Sequence, residues 1–244
     1  MSTRIECQPC FILHRRDFRN TSLIVDVFSA EYGRVAMVSR GARRPKSRVN
    51  ALLQVFQPLL ISWTGRGELL TLTNVEAAEF VSPLSGESYA SAYYLTELIY
   101  RLLKPADVHE TLFISYAKAI AALREVSGDG EAAQIILRLF EKTLLQELGY
   151  GLVLDYEVNT GEAIMEDRFY EYVPEHGPVE CHLESIPNGL KLSGRSIIAL
   201  ANEEFIGVDC LRDCKRLMRT VLQCYLGDKP LQSRMLYNRR VSVE

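Results

Sequence analysis

Residues 58–73 have the sequence Pro-Leu-Leu-Ile-Ser-Trp-Thr-Gly-Arg-Gly-Glu-Leu-Leu-Thr-Leu-Thr, which predicts a β-hairpin. Two apolar runs flank Thr64-Gly-Arg-Gly67, whose glycines favour a turn. Three further short apolar or β-branched runs precede the hairpin, at 10–14, 22–28 and 34–38. Five short strands without crossover helices predict a small closed or nearly closed barrel over residues 1–80. Strand count alone does not separate an OB-fold, which binds oligonucleotides, from an SH3-like barrel.

The hydrophobic period changes from two to 3.6 after Pro83, so residues 81–244 are predicted to form a second, mainly helical domain. Residues 151–192 lose this period, and their acidic, Gly- and Pro-containing sequence predicts an irregular insert of strands and loops. The fold class is therefore α+β, a small β-barrel followed by helices. The predicted helices lie at about 88–104, 109–126, 131–148, 195–203 and 210–226, with a turn at 127–130.

The formal net charge of −3 hides a segregation of charge along the chain. Residues 1–80 carry 11 basic and 7 acidic side chains, residues 81–209 carry 9 and 21, and residues 210–244 carry 8 and 3. Both ends are therefore basic and the middle is acidic. This asymmetry predicts separate surfaces for separate partners.

The strongest local charge lies at residues 39–48, Ser-Arg-Gly-Ala-Arg-Arg-Pro-Lys-Ser-Arg, with five cations and no acid. Gly41 and Pro45 interrupt regular structure, so these cations are predicted to lie on a loop. Such a loop favours a polyanion, and nucleic-acid phosphate is the usual one. The alternative is a solvated surface.

Other cations of the predicted barrel lie at its turns, which approach each other at the end of a small barrel. The predicted DNA-binding set is Arg15, Arg16, Arg19, Arg34, Arg40, Arg43, Arg44, Lys46, Arg48 and Arg66, with Lys215, Arg216 and Arg219 on the polar side of a late helix. Four aromatic residues would stack on bases or belong to the core: Phe18, Tyr32, Phe56 and Trp63.

The sequence lacks a phosphate-binding Gly-Lys-Ser/Thr loop, a His-Glu-x-x-His pattern and a nucleophile elbow, so no catalytic role and no cofactor are predicted. Two cysteine pairs, Cys7/Cys10 and Cys210/Cys214, have spacings compatible with a metal, but buried free thiols explain both and no metal site is predicted. No apolar run approaches the roughly 20 residues that span a bilayer, and the N-terminus lacks a signal-peptide core. A cytoplasmic protein without membrane contact is expected.

Several motifs, in order along nearly the whole chain, resemble the RecO family of DNA repair and recombination proteins, most closely its enterobacterial-type branch. They include His14-Arg-Arg-x-Phe-Arg-x-Thr-Ser-Leu23, Gly41-Ala-Arg-Arg44, Leu137-Arg-x-Phe-Glu141, Leu148-Gly-Tyr-Gly151 and Tyr225-Leu-Gly-x-Lys-Pro-Leu-x-Ser-Arg234. The resemblance implies an N-terminal OB-fold and a helical domain. It also implies a non-enzymatic, nucleoid-associated recombination mediator that binds single- and double-stranded DNA and anneals complementary strands.

The resemblance further implies protein partners: RecR, with which RecA is loaded onto DNA coated by single-strand-binding protein (SSB), and the C-terminal tail of SSB itself. Spacing alone places Arg138 at the edge of a helical core. The resemblance instead implies that Arg138 receives the terminal carboxylate of the SSB tail, with Lys191 a second residue for the same site. Some members carry a four-cysteine zinc site, but residues 149–162 contain no cysteine. The remaining alternative is an OB-fold nucleic-acid-binding module without annealing or mediator activity.

Overall fold

The computed structural model describes residues 3–84, 86–126, 130–181 and 190–236. The chain folds into two compact units, Met1–Glu125 with Leu231–Glu244 and Val126–Pro230. The first two long helices therefore belong with the barrel. The domain boundary that the sequence predicts at residue 80 stays a prediction.

The first unit contains a closed five-stranded barrel in which the order of hydrogen-bonded strands is β1-β2-β3-β5-β4. Neighbouring strands are antiparallel except for β3 and β5, which pair in parallel through Ala36–Leu69 and Val38–Thr71. The predicted OB-type barrel is confirmed. Its strands are β1 Thr3–Phe18, β2 Ser22–Ser29, β3 Gly33–Ser39, β4 Leu59–Gly65 and β5 Leu69–Ala77.

Alternating apolar side chains fill the barrel interior, because successive residues of a strand point to opposite faces. Val25, Val27 and Ile61 are fully buried there, and Trp63 is 3% exposed. Residues 40–47, which we call the basic loop, connect β3 to a short helix α1, Arg48–Leu52. The helix leads to Leu53, which is also fully buried in this core. The sequence did not predict α1, since one turn and a half is too short to show a hydrophobic period.

The outer face of β1 and β2 packs against two helices of the same unit, α2 Gly86–Leu102 and α3 Glu110–Glu125. Phe11 lies 5.1 Å from the Tyr116 ring, and Phe28 lies 5.4 Å from the Phe113 ring. These edge and tilted arrangements are the ones that aromatic pairs prefer. The two helices correspond to those predicted at 88–104 and 109–126, whereas the turn predicted at 127–130 lies mostly outside the described residues.

The second unit combines helices with a three-stranded antiparallel sheet of order β7-β6-β8. Its elements are α4 Glu131–Glu147, β6 Phe169–Val173, β7 Gly177–Cys181, β8 Leu190–Ser193, α5 Gly194–Asn202 and α6 Val208–Leu226. The insert at 151–192 is thus more regular than predicted, because cross-strand pairing that a local period does not reveal organises it. Part of that prediction, residues 182–189, lies outside the described residues. Within the described parts of the chain, no helix is both long and apolar enough to cross a membrane.

Candidate nucleic-acid interface

One end of the barrel collects two basic segments. The register pairs Phe18 with Ser22 and Leu23 with Ser39, so the β1–β2 turn and the last residue of β3 lie at the same end. Residues 40–47 leave β3 at this point and reach α1. We call this the cationic end of the barrel. It carries the predicted residues of both segments, which are Arg15, Arg16, Arg19, Arg40, Arg43, Arg44, Lys46 and Arg48.

The basic loop is fastened to the barrel by its backbone and one small side chain. Ala42 is fully buried, and the N–H of Arg43 donates to the carbonyl of Thr21 at 2.9 Å. Gly41 has a φ of +70°, which a glycine adopts without the steric cost of a side chain. The cations on either side of Ala42 remain exposed. The exposed cations are therefore carried by a loop whose backbone is held against the barrel.

The guanidinium of Arg43 is held by two acceptors. Its Nη2 lies 2.9 Å from Oδ2 of Asp17, and its Nη1 donates to the carbonyl of Arg19 at 3.2 Å. Arg15 is anchored separately, because its Nη1 donates to the carbonyl of Leu53 at 3.2 Å. Both arginines remain exposed. A guanidinium has five N–H donors, so each keeps further donors for a ligand.

These residues surround a cavity of about 370 Å³. It is lined by Arg15, Arg16, Asp17, Leu23, Arg43 and Asn50. Three guanidinium groups and one carboxylate leave the wall positive, and a cleft of one sign of charge concentrates ions of the other. Asp17 and Asn50 are not among the predicted residues, because the prediction rests on cationic side chains alone. The position of Asp17 between Arg16 and the first turn is the sequence signal that would have included it.

Two predicted residues lie at the other end of the barrel. Arg34 is next to Gly33 at the start of β3, about 20 Å of extended strand from Arg40. Its Nη1 donates to the carbonyl of Tyr100 at 2.7 Å, and its guanidinium lies 5.3 Å from the centre of that ring. Arg66 lies in the β4–β5 turn, where Gly65 pairs with Thr3 at the start of β1. The structure does not bring either arginine to the cationic end.

The four aromatic residues that could stack on bases or belong to the core also differ in their positions. Trp63 belongs to the barrel core and meets Tyr32 edge-on at 5.2 Å, and Phe56 is buried with its ring 5.2 Å from Tyr89. Only Phe18 of the four belongs to the cationic end, where the guanidinium of Arg19 lies 5.1 Å from its ring centre. Phosphate contacts therefore dominate what this surface offers a nucleic acid.

Arg138 occupies a different environment in the second unit. Its side chain is 4% exposed, and Nη2 lies 2.6 Å from Oε1 of Glu141, three residues along α4 on the same helix face. Among the described residues, its Nε and Nη1 are buried without a hydrogen-bond partner. An unsatisfied buried donor is costly, more so on a charged group. An oxygen of a bound carboxylate would supply an acceptor for one of these donors.

Lys191 lies on β8, directly across from Glu171 on β6. Its Nζ is 5.0 Å from the centre of the Phe169 ring, a cation–π distance. The side chain is half-buried. These neighbours differ from those of Arg138.

The basic side of α6 carries Lys215, Arg216 and Arg219, all exposed. Nη1 of Arg216 lies 3.5 Å from Oδ1 of Asp213. The opposite side of the helix is buried and includes Cys214 and Leu217. These cations belong to the second compact unit, whereas the barrel belongs to the first.

The six cysteines are free thiols. Burial raises the pKa of Cys10 to about 12, and burial likewise raises the pKa of Cys214. Cys10 therefore stays protonated at neutral pH as part of the barrel core. Within the described ranges, no group of three or more His, Cys, Asp or Glu side chains has an arrangement that could hold a metal ion.

Two family models together cover nearly the whole chain. The model "Recombination protein O N terminal" matches residues 1–81, and "Recombination protein O C terminal" matches residues 83–235. The chain belongs to the recombination protein O (RecO) family. The first model coincides with the barrel, and the second begins just before α2.

Similar proteins that carry the name DNA repair protein RecO align over almost their full length. The protein of Nitrosococcus oceani is 45% identical over 233 residues, covering 96% of this chain and 93% of the relative. That of Dechloromonas aromatica is 42% identical and covers 97% of both chains. That of Coxiella burnetii is 42% identical over 97% of this chain and 99% of the relative. Whole-chain correspondence to RecO proteins therefore includes both compact units.

The motifs by which the sequence resembles RecO proteins fall on both sites described above. Residues 14–23 contain Arg15, Arg16 and Asp17 of the cavity, and residues 137–141 contain the buried pair Arg138 and Glu141.

Proposed function

We propose that this protein is a mediator of DNA repair and homologous recombination that binds single- and double-stranded DNA at the cationic end of the barrel and anneals complementary strands. The observation that carries the proposal is the cavity in which Arg15, Arg16 and Arg43 meet, beside a loop whose cations are exposed. Such a surface contacts phosphates rather than base edges, so binding is expected to be independent of sequence and strongly salt-dependent.

Annealing follows from the same charges. Two complementary strands repel each other through their phosphates, and a surface that neutralises both lets the bases pair. The protein needs no catalytic group or cofactor for this step, and we expect it to act as a non-enzyme in the bacterial cytoplasm, at the nucleoid. Apart from the basic side of α6, the acidic second unit would repel DNA and meet protein partners instead.

Those partners are, in this proposal, RecR and the C-terminal tail of SSB, through which RecA is loaded on SSB-coated DNA. The buried donors of Arg138 that no described residue accepts support a carboxylate-binding role, since a carboxylate oxygen would satisfy one of them. Lys191 remains a second proposed residue of the tail site. The basic side of α6 is a further proposed DNA contact.

An annealing assay with complementary oligonucleotides, with and without SSB, tests the proposal. We expect faster duplex formation with the protein than without it, and retained activity on SSB-coated strands. DNA binding without faster annealing would favour a nucleic-acid-binding module that lacks mediator activity.

The partner assignment has a separate test, which uses SSB with and without its last residues. We expect binding to full-length SSB and loss of binding to the truncated form. Conservative replacement Arg138→Lys keeps the charge but not the planar fork, so it should weaken tail binding and leave naked-DNA binding unchanged. Loss of both by a folded Arg138→Lys protein would contradict the assignment of two separate sites.

A further inference from the structure

An exposed carboxylate stands among the cations that are proposed to bind phosphate. Asp17 lies between Arg16 and the β1–β2 turn, lines the same cavity as Arg15 and Arg43, and contacts Nη2 of Arg43 at 2.9 Å. Its side chain is 69% exposed. A carboxylate at this place would repel a phosphate, so its presence requires a reason.

Stability of the barrel is not a sufficient reason, because ion pairs between exposed side chains contribute little to folding. The contacts of the Arg43 guanidinium offer a better reason for the presence of Asp17. Asp17 contacts Nη2 of Arg43 and the carbonyl of Arg19 accepts from Nη1, and these two contacts together restrain the plane of the guanidinium. Arg15 is fixed independently by the carbonyl of Leu53. Without the carboxylate, the clustered cations would repel one another and Arg43 would lose one of its two anchors.

We propose that the cavity is a subsite for one backbone phosphate of a nucleic acid and that Asp17 is the positioning residue that orients Arg43 toward it. Arg15, Arg16 and Arg43 supply charged donors, and the Asn50 amide supplies a neutral one from α1. The subsite deepens the proposed DNA-binding function and rests on it. A phosphate accepts planar, paired N–H donors, so an oriented guanidinium binds it better than a mobile one.

The replacement Asp17→Asn separates positioning from simple charge, because the two predict opposite signs. Removing a negative charge makes the surface more positive and should strengthen DNA binding if charge alone matters. If Asp17 orients Arg43, binding of an oligodeoxythymidine should instead weaken about 2- to 5-fold, the range of an exposed ion pair. Fluorescence anisotropy at fixed salt measures the difference. Equal or tighter binding would overturn the proposal.

A double-mutant cycle gives the second readout. Arg43→Lys keeps the charge and loses the fork, so it should weaken binding to a similar extent. Adding Asp17→Asn to Arg43→Lys should then cause no further loss and should slightly strengthen binding through the removed negative charge, since the group to be oriented is gone. An additive loss would contradict positioning. Asp17→Glu keeps the carboxylate and should recover part of the affinity, whereas Glu31→Gln, at the β2–β3 turn, removes the same charge far from the cavity and should not weaken binding.

Different experimental results would contradict the positioning role of Asp17 and the proposed DNA-binding function. Arg15→Gln with Arg16→Gln tests the DNA-binding surface itself, and unchanged affinity in that variant would remove both proposals. Reduced affinity there, together with unchanged or tighter binding by Asp17→Asn, would remove only the positioning role. Fluorescence of Trp63, the single tryptophan and part of the barrel core, reports whether each variant keeps the native barrel.

Discussion

Arg43 and Arg138 each pair with a carboxylate, but they do so in opposite surroundings. The Arg43 side chain is 36% exposed and its partner Asp17 is 69% exposed, whereas Arg138 and Glu141 are 4% and 1% exposed. Water and salt screen the first pair and hardly reach the second. The two environments suit the two tasks that we propose for a guanidinium: one of many weak, salt-dependent phosphate contacts at Arg43, and a single contact with a carboxylate away from water at Arg138.

Exposure also decides how many cations a site needs. In the proposed function, the cationic end of the barrel needs several arginines because each contact with a phosphate is weak in water. The Arg138 site has one arginine whose desolvation is only partly compensated by Glu141, since two of its donors are buried with no acceptor among the described residues. Loss of a charged partner should therefore cost more free energy at the Arg138 site than at the cationic end of the barrel.

The largest expected effect is on stability, from breaking the buried pair. Arg138→Met removes the cation that faces the buried Glu141 carboxylate and should lower the free energy of unfolding by about 3–5 kcal/mol. Replacing both residues, as Arg138→Met with Glu141→Leu, should recover most of this loss. Arg43→Met is the matched control at the surface and should change stability by no more than about 1 kcal/mol. Urea unfolding followed by circular dichroism measures all three, and similar losses in the two single variants would contradict the contrast.

The next largest effect is on DNA affinity, from removing exposed cations of the basic loop. Their combined replacement should weaken binding by roughly 10- to 100-fold at moderate salt, because several phosphate contacts of about 0.2–1 kcal/mol are lost together. Filter binding or anisotropy with single-stranded DNA measures the change. The variant carries alanine at Arg43, Arg44 and Lys46 of the loop and at Arg48, the first residue of α1.

A charge-matched control shows whether the position of those cations matters or only their number. It replaces the same number of exposed cations elsewhere, and its affinity should fall only slightly through the change in net charge. A loss as large as that of the loop variant would show that DNA binds no particular part of the molecule. The control carries alanine at Lys104, Lys118, Arg168 and Arg195.

The smallest expected effect compares arginines at the two ends of the barrel. Arg16→Gln should weaken DNA binding a few-fold, since Arg16 lines the cavity. Arg34→Gln should leave DNA affinity unchanged and lower stability by about 1 kcal/mol, because it removes the hydrogen bond to the Tyr100 carbonyl and the contact with that ring. Binding titrations and thermal unfolding measure the two effects. If Arg34→Gln weakened DNA binding as much as Arg16→Gln, the interface would have to extend to both ends.

The sequence predicts the fold well where information is local. Alternating residues around Val25 and Val27 and the turn at Gly65 identify strands, and the 3.6-residue period identifies α2 to α4. The sequence does not predict the parallel pairing of β3 with β5, because barrel closure joins residues that are far apart along the chain. It also predicts strands and loops at 151–192 without assigning β6, β7 and β8 individually.

The candidate site is predicted in part. Clusters of cations are visible in one dimension, so Arg15, Arg16 and the basic loop are found. Their separation from Arg34 and Arg66 follows from strand register, which composition does not contain. Asp17 is missed because its role depends on the position of the Arg43 side chain, 26 residues further along the chain.

The salt dependence of DNA binding tests the central claim most directly. The slope of log K against log salt concentration counts neutralised phosphates, at about 0.7 per contact for single strands. A variant with glutamine at Arg15, Arg16 and Arg43 should have a slope smaller in magnitude by about 2 than the unmodified protein, with Trp63 fluorescence unchanged. An unchanged slope would show that DNA does not bind the cationic end of the barrel.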